Sequence, residues 1–201
     1  MKPILTPEQR NNIIQIGNNL AEYLYKNEIK NVVFVDRSAR QGWIALKKSW
    51  EKKFPNIDSP KMYFINPRRC ASHERIEEIV EEFNINYKRL SSDKNSKIMV
   101  FDVCFHTGKM LTDVVNILKK VGYTKIFTGL AQRKDKTFHK SKDYPINFIA
   151  LDKWLNNCYP FGGGGSGVKK TYDYLVSLRQ SDPNLKEYPL HLRKEISSLF
   201  E

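Results

Sequence analysis

An α/β fold, built on a doubly wound, mainly parallel five-stranded sheet flanked by helices, is predicted by three features of the chain. Short unbroken apolar runs rich in Val, Ile and Phe recur along it, as at 31–36 (NVVFVD) and 98–102 (IMVFD). Runs of this kind mark strands buried on both faces, the condition of a parallel sheet. Between them lie stretches in which apolar residues return every three or four positions, the helical period. Strands that alternate with helices imply parallel pairing through right-handed crossovers.

Each element has its own signal. Thr6-Pro7-Glu8-Gln9 supplies a cap, a proline at the first helical position and a Gln placed to reach back, which is a capping-box pattern. Ile13, Ile16, Leu20 and Leu24 then form one stripe, and the helix is predicted to end near Asn27. Strand 31–36 follows, and after it Trp43, Leu46 and Trp50 give a short helical stripe. Residues 61–67 read as a second strand halted by Pro67, and Ile76, Ile79, Val80 and Phe83 mark a Glu-rich helix. The third strand, 97–103, precedes a helix carrying Leu111, Val114, Val115, Leu118 and Val121. Two further strands are predicted at 124–131 and 145–151. The tail holds a Gly-rich turn at 162–167, a helix with Val168, Tyr172 and Leu175, and a last helix ending near Phe200. One domain therefore spans 1–201, with an N-terminal helix at 7–27, a core at 28–152 and a helical extension at 153–201.

With 201 residues, 40% of them apolar, the chain is long enough to bury a core and too apolar to be disordered. No apolar run reaches the roughly 20 residues that span a bilayer, and the start, MKPILTPEQR, has no secretory h-region. No membrane partner is expected. Cys70, Cys104 and Cys158 are odd in number and far apart, which fits reduced thiols in a cytoplasmic protein better than a disulfide framework. Zinc-ligand spacing is absent from the sequence. A net charge of +12, from 34 basic and 22 acidic residues, attracts polyanions: nucleic acid, pyrophosphate or phosphorylated metabolites. Charge alone does not choose among these, and a lysine-rich surface explains it equally well.

In a doubly wound sheet, ligands bind beyond the carboxyl ends of the strands, at the switch point. That rule selects the loops 36–42, 67–72, 102–109 and 131–143. Two phosphate motifs are then tested and fail. A P-loop requires Gly five residues before Gly108 and Ser or Thr after Lys109, but Val103 and Met110 stand there. Gly162, Gly164 and Gly167 satisfy GxGxxG literally, yet NNCYPF before them is not a strand, so the required context is missing. A connector or hinge is the better reading of that turn.

What survives is a strand ending in Asp102, a short loop, and Thr107-Gly108 at the start of a helix. The backbone N–H groups of 106–110 face outward at a helix N-terminus, where the dipole places about half a positive charge. Thr107 adds a hydroxyl, and Gly108 admits close backbone approach. One phosphate monoester fits such a cup. Asp102 stands where it can accept from the hydroxyls of a sugar bearing that phosphate; its alternative role is as a helix cap.

The stretch 98–111, IMVFDVCFHTGKML, resembles the phosphoribosyl-diphosphate signature of the class I phosphoribosyltransferases, a strand followed by acids and a loop ending in Thr-Gly. VVFVDRSARQG is similar to that family's first strand and pyrophosphate loop, and the strand order over 31–152 follows its core. A divergent member is implied. Val103 replaces the second acid, His106 stands where the purine-specific branch can carry an acid, Met110 replaces a second Thr, and a Glu-rich helix at 72–84 takes the place of the long flexible loop.

The resemblance implies displacement of pyrophosphate from phosphoribosyl diphosphate by a nitrogenous base, a glycosyltransferase (pentosyltransferase) reaction of nucleotide metabolism. Its transition state resembles an oxocarbenium ion. It implies Mg²⁺, carried through substrate oxygens with Asp102 nearby and no direct protein ligand set. Asp102, His106 and Arg40 are the implied catalytic residues. Arg37, Ser38, Ala39 and Arg40 would face the pyrophosphate; Phe105, His106, Thr107, Gly108, Lys109 and Met110 would form the 5′-phosphate cup.

Alternatives stay open at several of these positions. Arg37 and Arg40 also read as ordinary surface charges after a strand. His106 serves either as a general base, its ordinary pKa lying near 6.5, or only through its backbone N–H. Lys109 in such a turn more often points to solvent. Phe148 and Trp154 are read either as a stacking face for the base or as core residues. Retained Asp102, Thr107-Gly108 and Arg40 favour an enzyme. Val103, Met110 and the missing loop favour a non-catalytic, regulatory module that binds a phosphoribosyl group or nucleotide. Nucleic acid, held by the basic loop 132–143 and aromatics such as Tyr144, is the secondary partner class. The resemblance also admits a homodimer.

Overall fold

The computed structural model describes residues 4–35, 39–65, 76–91, 94–104, 109–132, 145–151 and 188–201. Helix α1 (Pro7–Lys26) begins as its capping box requires: the Thr6 hydroxyl accepts from the Gln9 N–H at 3.2 Å, and the Gln9 side chain accepts from the Thr6 N–H at 2.9 Å. Its stripe of Ile13, Ile16, Leu20 and Leu24 is fully buried. Then come β1 (Asn31–Val35), α2 (Arg40–Lys53), β2 (Lys61–Ile65), α3 (Ile76–Asn86), the single turn α4 (Lys88–Ser91) and β3 (Ile98–Cys104). Helix α5 (Lys109–Lys120), β4 (Ile126–Gln132), β5 (Phe148–Leu151) and α6 (Tyr188–Ser198) complete the order.

The five strands lie in the order β2-β1-β3-β4-β5, and every pairing is parallel. All five residues of β1 are buried, which is why its sequence shows no polar alternation. Successive side chains of a strand point to opposite faces, and the two core layers follow that rule. Val32, Phe34, Met99 and Phe101 join α1, α2 and α6 on one side. Val33, Val35, Ile98 and Val100 meet Leu111, Val114 and Leu118 of α5 on the other. Gly42 lets α2 lie against the sheet: a Cβ there would come within 3.1 Å of the Phe101 ring.

Several boundaries differ from the sequence reading. Helix α2 starts at Arg40 and runs to Lys53, so the loop after β1 is shorter than 36–42. Strand β3 continues to Cys104, and β4 continues to Gln132, because these two residues pair with each other. Strand β5 starts only at Phe148. Pro145 has no N–H to offer, and the Asn147 side chain accepts from the Thr128 N–H at 2.8 Å in place of a backbone carbonyl. The expected turn at 162–167 and the helix with Val168, Tyr172 and Leu175 lie outside the described residues. Among the described residues, no helix is long and apolar enough to cross a membrane.

Candidate functional site

The sheet order reverses between β1 and β3: the chain leaves β1 toward β2 on one side and leaves β3 toward β4 on the other. The crossovers therefore diverge, and a crevice opens at the carboxyl ends of β1 and β3. Phe34 and Phe101 are in register across this pair. Asp102 stands one residue further along β3, opposite Leu130 of β4. It is 8% exposed, and strand alternation puts it on the same face as Ile98 and Val100, toward α5. A carboxylate in that position is expensive to desolvate unless its oxygens are engaged.

Two helices of more than three turns start at this edge, α2 and α5. The positive ends of their dipoles make the edge attractive to anions. Arg40 is the first residue of α2, and its guanidinium carbon lies 4.6 Å from the centroid of the Phe64 ring, a cation–π contact at the end of β2. Trp43 packs edge-on against the same ring at 5.5 Å. Ala39 is fully buried, caps α2 without a side-chain bond, and donates its N–H to the Val35 carbonyl at 3.4 Å. Lys109 opens α5 and is exposed. Met110 is half-buried and packs into the α5 layer.

The edge thus brings together Asp102, Ala39, Arg40, Lys109 and Met110 from three elements. Arg37, Ser38, Phe105, His106, Thr107 and Gly108 lie outside the described residues, as do the basic loop from 133 onward and Trp154. Phe148 is described: its ring lies 4.5 Å from that of Tyr23, so it packs against α1 as a core residue does.

One polar residue at this edge was assigned by its sequence to a loop. Gln132 ends β4, 1% exposed, and among the described residues neither its side-chain nitrogen nor its oxygen has a hydrogen-bond partner. Nothing local signals it, because it is followed at once by the basic run RKDK. A cavity of about 540 Å³ lies elsewhere, between α2 and α6; Trp43, Lys47, Lys48, Arg193 and Lys194 line it, and none of the expected site residues does. Among the described residues, no group of three or more His, Cys, Asp or Glu side chains gathers.

No family model matches the sequence, and no curated protein matches it. Solved structures similar to this one include a hypoxanthine-guanine-xanthine phosphoribosyltransferase, 19% identical, covering 70% of this chain and 73% of its own at a TM-score of 0.47. A purine phosphoribosyltransferase from Pyrococcus horikoshii Ot3 is 16% identical, covering 71% and 85% at a TM-score of 0.42. A hypoxanthine phosphoribosyltransferase from Staphylococcus aureus is 14% identical, covering 76% and 80%, also at 0.42.

Proposed function

We propose that this chain binds phosphoribosyl diphosphate in the crevice between β1 and β3, and that it acts as a pentosyltransferase there, replacing the pyrophosphate by a nitrogenous base. The observation that carries this reading is Asp102: a carboxylate only 8% exposed, at the carboxyl end of β3, beside the point where the strand order reverses. Its sequence context, IMVFDVCFHTG, carries the resemblance to the phosphoribosyl-diphosphate signature.

In this reaction the anomeric C–O bond to pyrophosphate breaks and a C–N bond to the base forms, while the proton of the base nitrogen leaves to a nearby acceptor. Positive charge develops on the ribose in an oxocarbenium-like transition state. The work of the protein is to position the reactants and to stabilise the departing charge. Asp102 accepts from the ribose hydroxyls and holds the ring. Thr107, Gly108 and the N–H groups that open α5 take the 5′-phosphate, flanked by Phe105, Lys109 and Met110. Arg40, with Arg37, Ser38 and Ala39, takes the pyrophosphate; a guanidinium fork suits its oxygens. His106 is the candidate proton acceptor.

The residues at this edge fit a Mg²⁺ that arrives with the substrate. Asp102 offers one carboxylate to metal-bound waters, and the remaining ligands would be phosphate and ribose oxygens. When bound, the ion neutralises charge on the leaving pyrophosphate. On the same reading the chain works in the cytoplasm with its three thiols reduced.

A second reading keeps the binding and drops the turnover. Val103 in place of a second acid favours it. Calorimetric titration with phosphoribosyl diphosphate, with and without Mg²⁺, tests both. Micromolar-class binding that is lost in Asp102→Ala is expected. Absence of heat with any phosphorylated ribose would sink both readings, and pyrophosphate release against a panel of bases separates enzyme from sensor.

A further inference from the structure

We infer that Gln132 reads the ring edge of the base, and that it selects a ligand presenting a donor and an acceptor side by side (a carboxamide, lactam or amidine edge) over one presenting a carboxylate. This rests on the phosphoribosyl reading above and names the class of base it would take.

The first ground is the state of the side chain. Gln132 is 1% exposed, and neither end of its amide has a partner among the described residues. Nearly all buried polar side-chain atoms in native proteins are paired, so an orphan donor and an orphan acceptor on one side chain call for an explanation. Packing does not supply one. Leu130 precedes it on the same face of β4 and belongs to the apolar layer against α5. A Leu or Met would continue that apolar surface and leave nothing unpaired.

The second ground is position. Cys104 pairs with Gln132, and Asp102 pairs with Leu130. Alternation therefore puts Asp102 and Gln132 on one face of the sheet, one strand apart and two residues apart along it. From strand spacing and rise, their Cα atoms are about 8 Å apart. That is the span from ribose hydroxyls to the edge of an attached heterocycle.

The third ground is the chemistry of the amide, which offers donors on nitrogen and an acceptor on oxygen. A ligand edge with one donor and one acceptor satisfies both ends. A carboxylate satisfies only the nitrogen and sets its own oxygen against the amide oxygen. A site built to hydrogen-bond its ligand discriminates strongly against one that leaves its polar groups unpaired.

The test compares ribose 5-phosphate with four 5′-mononucleotides by calorimetry on the full chain: those of hypoxanthine, adenine, nicotinamide and nicotinic acid. The last two differ only in carboxamide against carboxylate. At least one of the first three is expected to bind about tenfold or more tighter than ribose 5-phosphate, and the nicotinic acid nucleotide no tighter. In Gln132→Met the preference should vanish, with ribose 5-phosphate binding retained and the melting temperature of the ligand-free protein unchanged or raised. The inference is overturned if none of the three exceeds ribose 5-phosphate, if the nicotinic acid nucleotide equals the best of them, or if Gln132→Met keeps the preference. The wild-type comparison decides even where that variant does not fold. Failure of ribose 5-phosphate and phosphoribosyl diphosphate alike to bind overturns the underlying reading as well, so the two failures are told apart.

Discussion

Arg10 and Glu195, 185 residues apart in the chain, meet through two guanidinium hydrogen bonds of 2.7 and 3.2 Å to one carboxylate oxygen. The same carboxylate accepts from the backbone N–H groups of Ile4 at 2.8 Å and Leu5 at 3.2 Å. One side chain of α6 thereby fixes the segment that leads into α1, while Leu192, Ile196 and Phe200 bury themselves in the same layer as Ile13 and Ile16. Glu195→Ala removes a charged acceptor and leaves two N–H groups and a guanidinium unsatisfied. A loss of about 2 kcal/mol is expected, with a smaller loss in Glu195→Gln, which keeps one acceptor. Urea midpoints measure the size, and faster amide exchange at Ile4 and Leu5 would locate it. An unchanged midpoint in the alanine variant would remove the contact from the account of stability.

Gly17 stands in the middle of α1, where glycine costs about 1 kcal/mol relative to alanine. Propensity alone predicts that Gly17→Ala stabilises. The crossing of α1 over α2 predicts the reverse, because a Cβ at Gly17 would lie 2.7 Å from the Ala45 carbonyl oxygen, a backbone atom, and 3.0 Å from the Phe200 ring. Overpacking of this kind costs about 1–3 kcal/mol, so the steric effect is expected to win. A lower thermal midpoint in Gly17→Ala is the expected result; a higher one would mean that the helices can part without loss.

These two positions also mark what a sequence can and cannot disclose. The capping box at Thr6 and Gln9 and the unbroken run of β1 are local, and both were legible as they stand. The place of Asp102 near the carboxyl end of β3 was legible because an acid that ends an apolar run stands out against its neighbours. Glu195 was not, since its partners lie at the far end of the chain and a Glu on an amphipathic helix is unremarkable. Gly17 carries no local signal of its role, which depends on where α2 passes. Gln132 read as the first residue of a basic loop, and only the pairing with Cys104 and Leu151 draws it into the sheet. Long-range pairing, not local propensity, set the ends of β3 and β4 that were misjudged by a residue.

The Tyr23 hydroxyl has its pKa raised above the ordinary 10.0 by burial. Ionisation is therefore harder in the folded chain than in the unfolded one. The sign follows: this group's contribution to stability is fully present below pH 10 and is lost as pH rises through the folded value. Tyr23→Phe should keep the ring contact with Phe148 and shed that share of the alkaline instability. Denaturation midpoints of the two proteins are expected to agree near neutrality and to diverge above pH 10, with wild type falling faster. Parallel curves would show that the hydroxyl does not titrate with folding.

Val103→Asp probes the departure that bears most on turnover. In the resembled signature two acids follow the apolar run, and this chain keeps only the first. On the proposed reading, Asp102 alone would have to serve both ribose hydroxyls and any metal-bound water. A second carboxylate would share that load and deepen the dependence on Mg²⁺, since a hard cation gathers oxygen ligands. Binding of phosphoribosyl diphosphate in the presence of Mg²⁺ is expected to tighten by about tenfold in Val103→Asp, the equivalent of about 1.4 kcal/mol, with little change in its absence. Pyrophosphate release should rise with it if the lost acid is what limits turnover. Tighter binding without release would leave the chain a sensor whose deficit lies elsewhere, with His106 the next residue to exchange. Equal affinity with and without the metal in both proteins would contradict the role given to Asp102, because a carboxylate beside a Mg²⁺-bearing pyrophosphate must feel that charge.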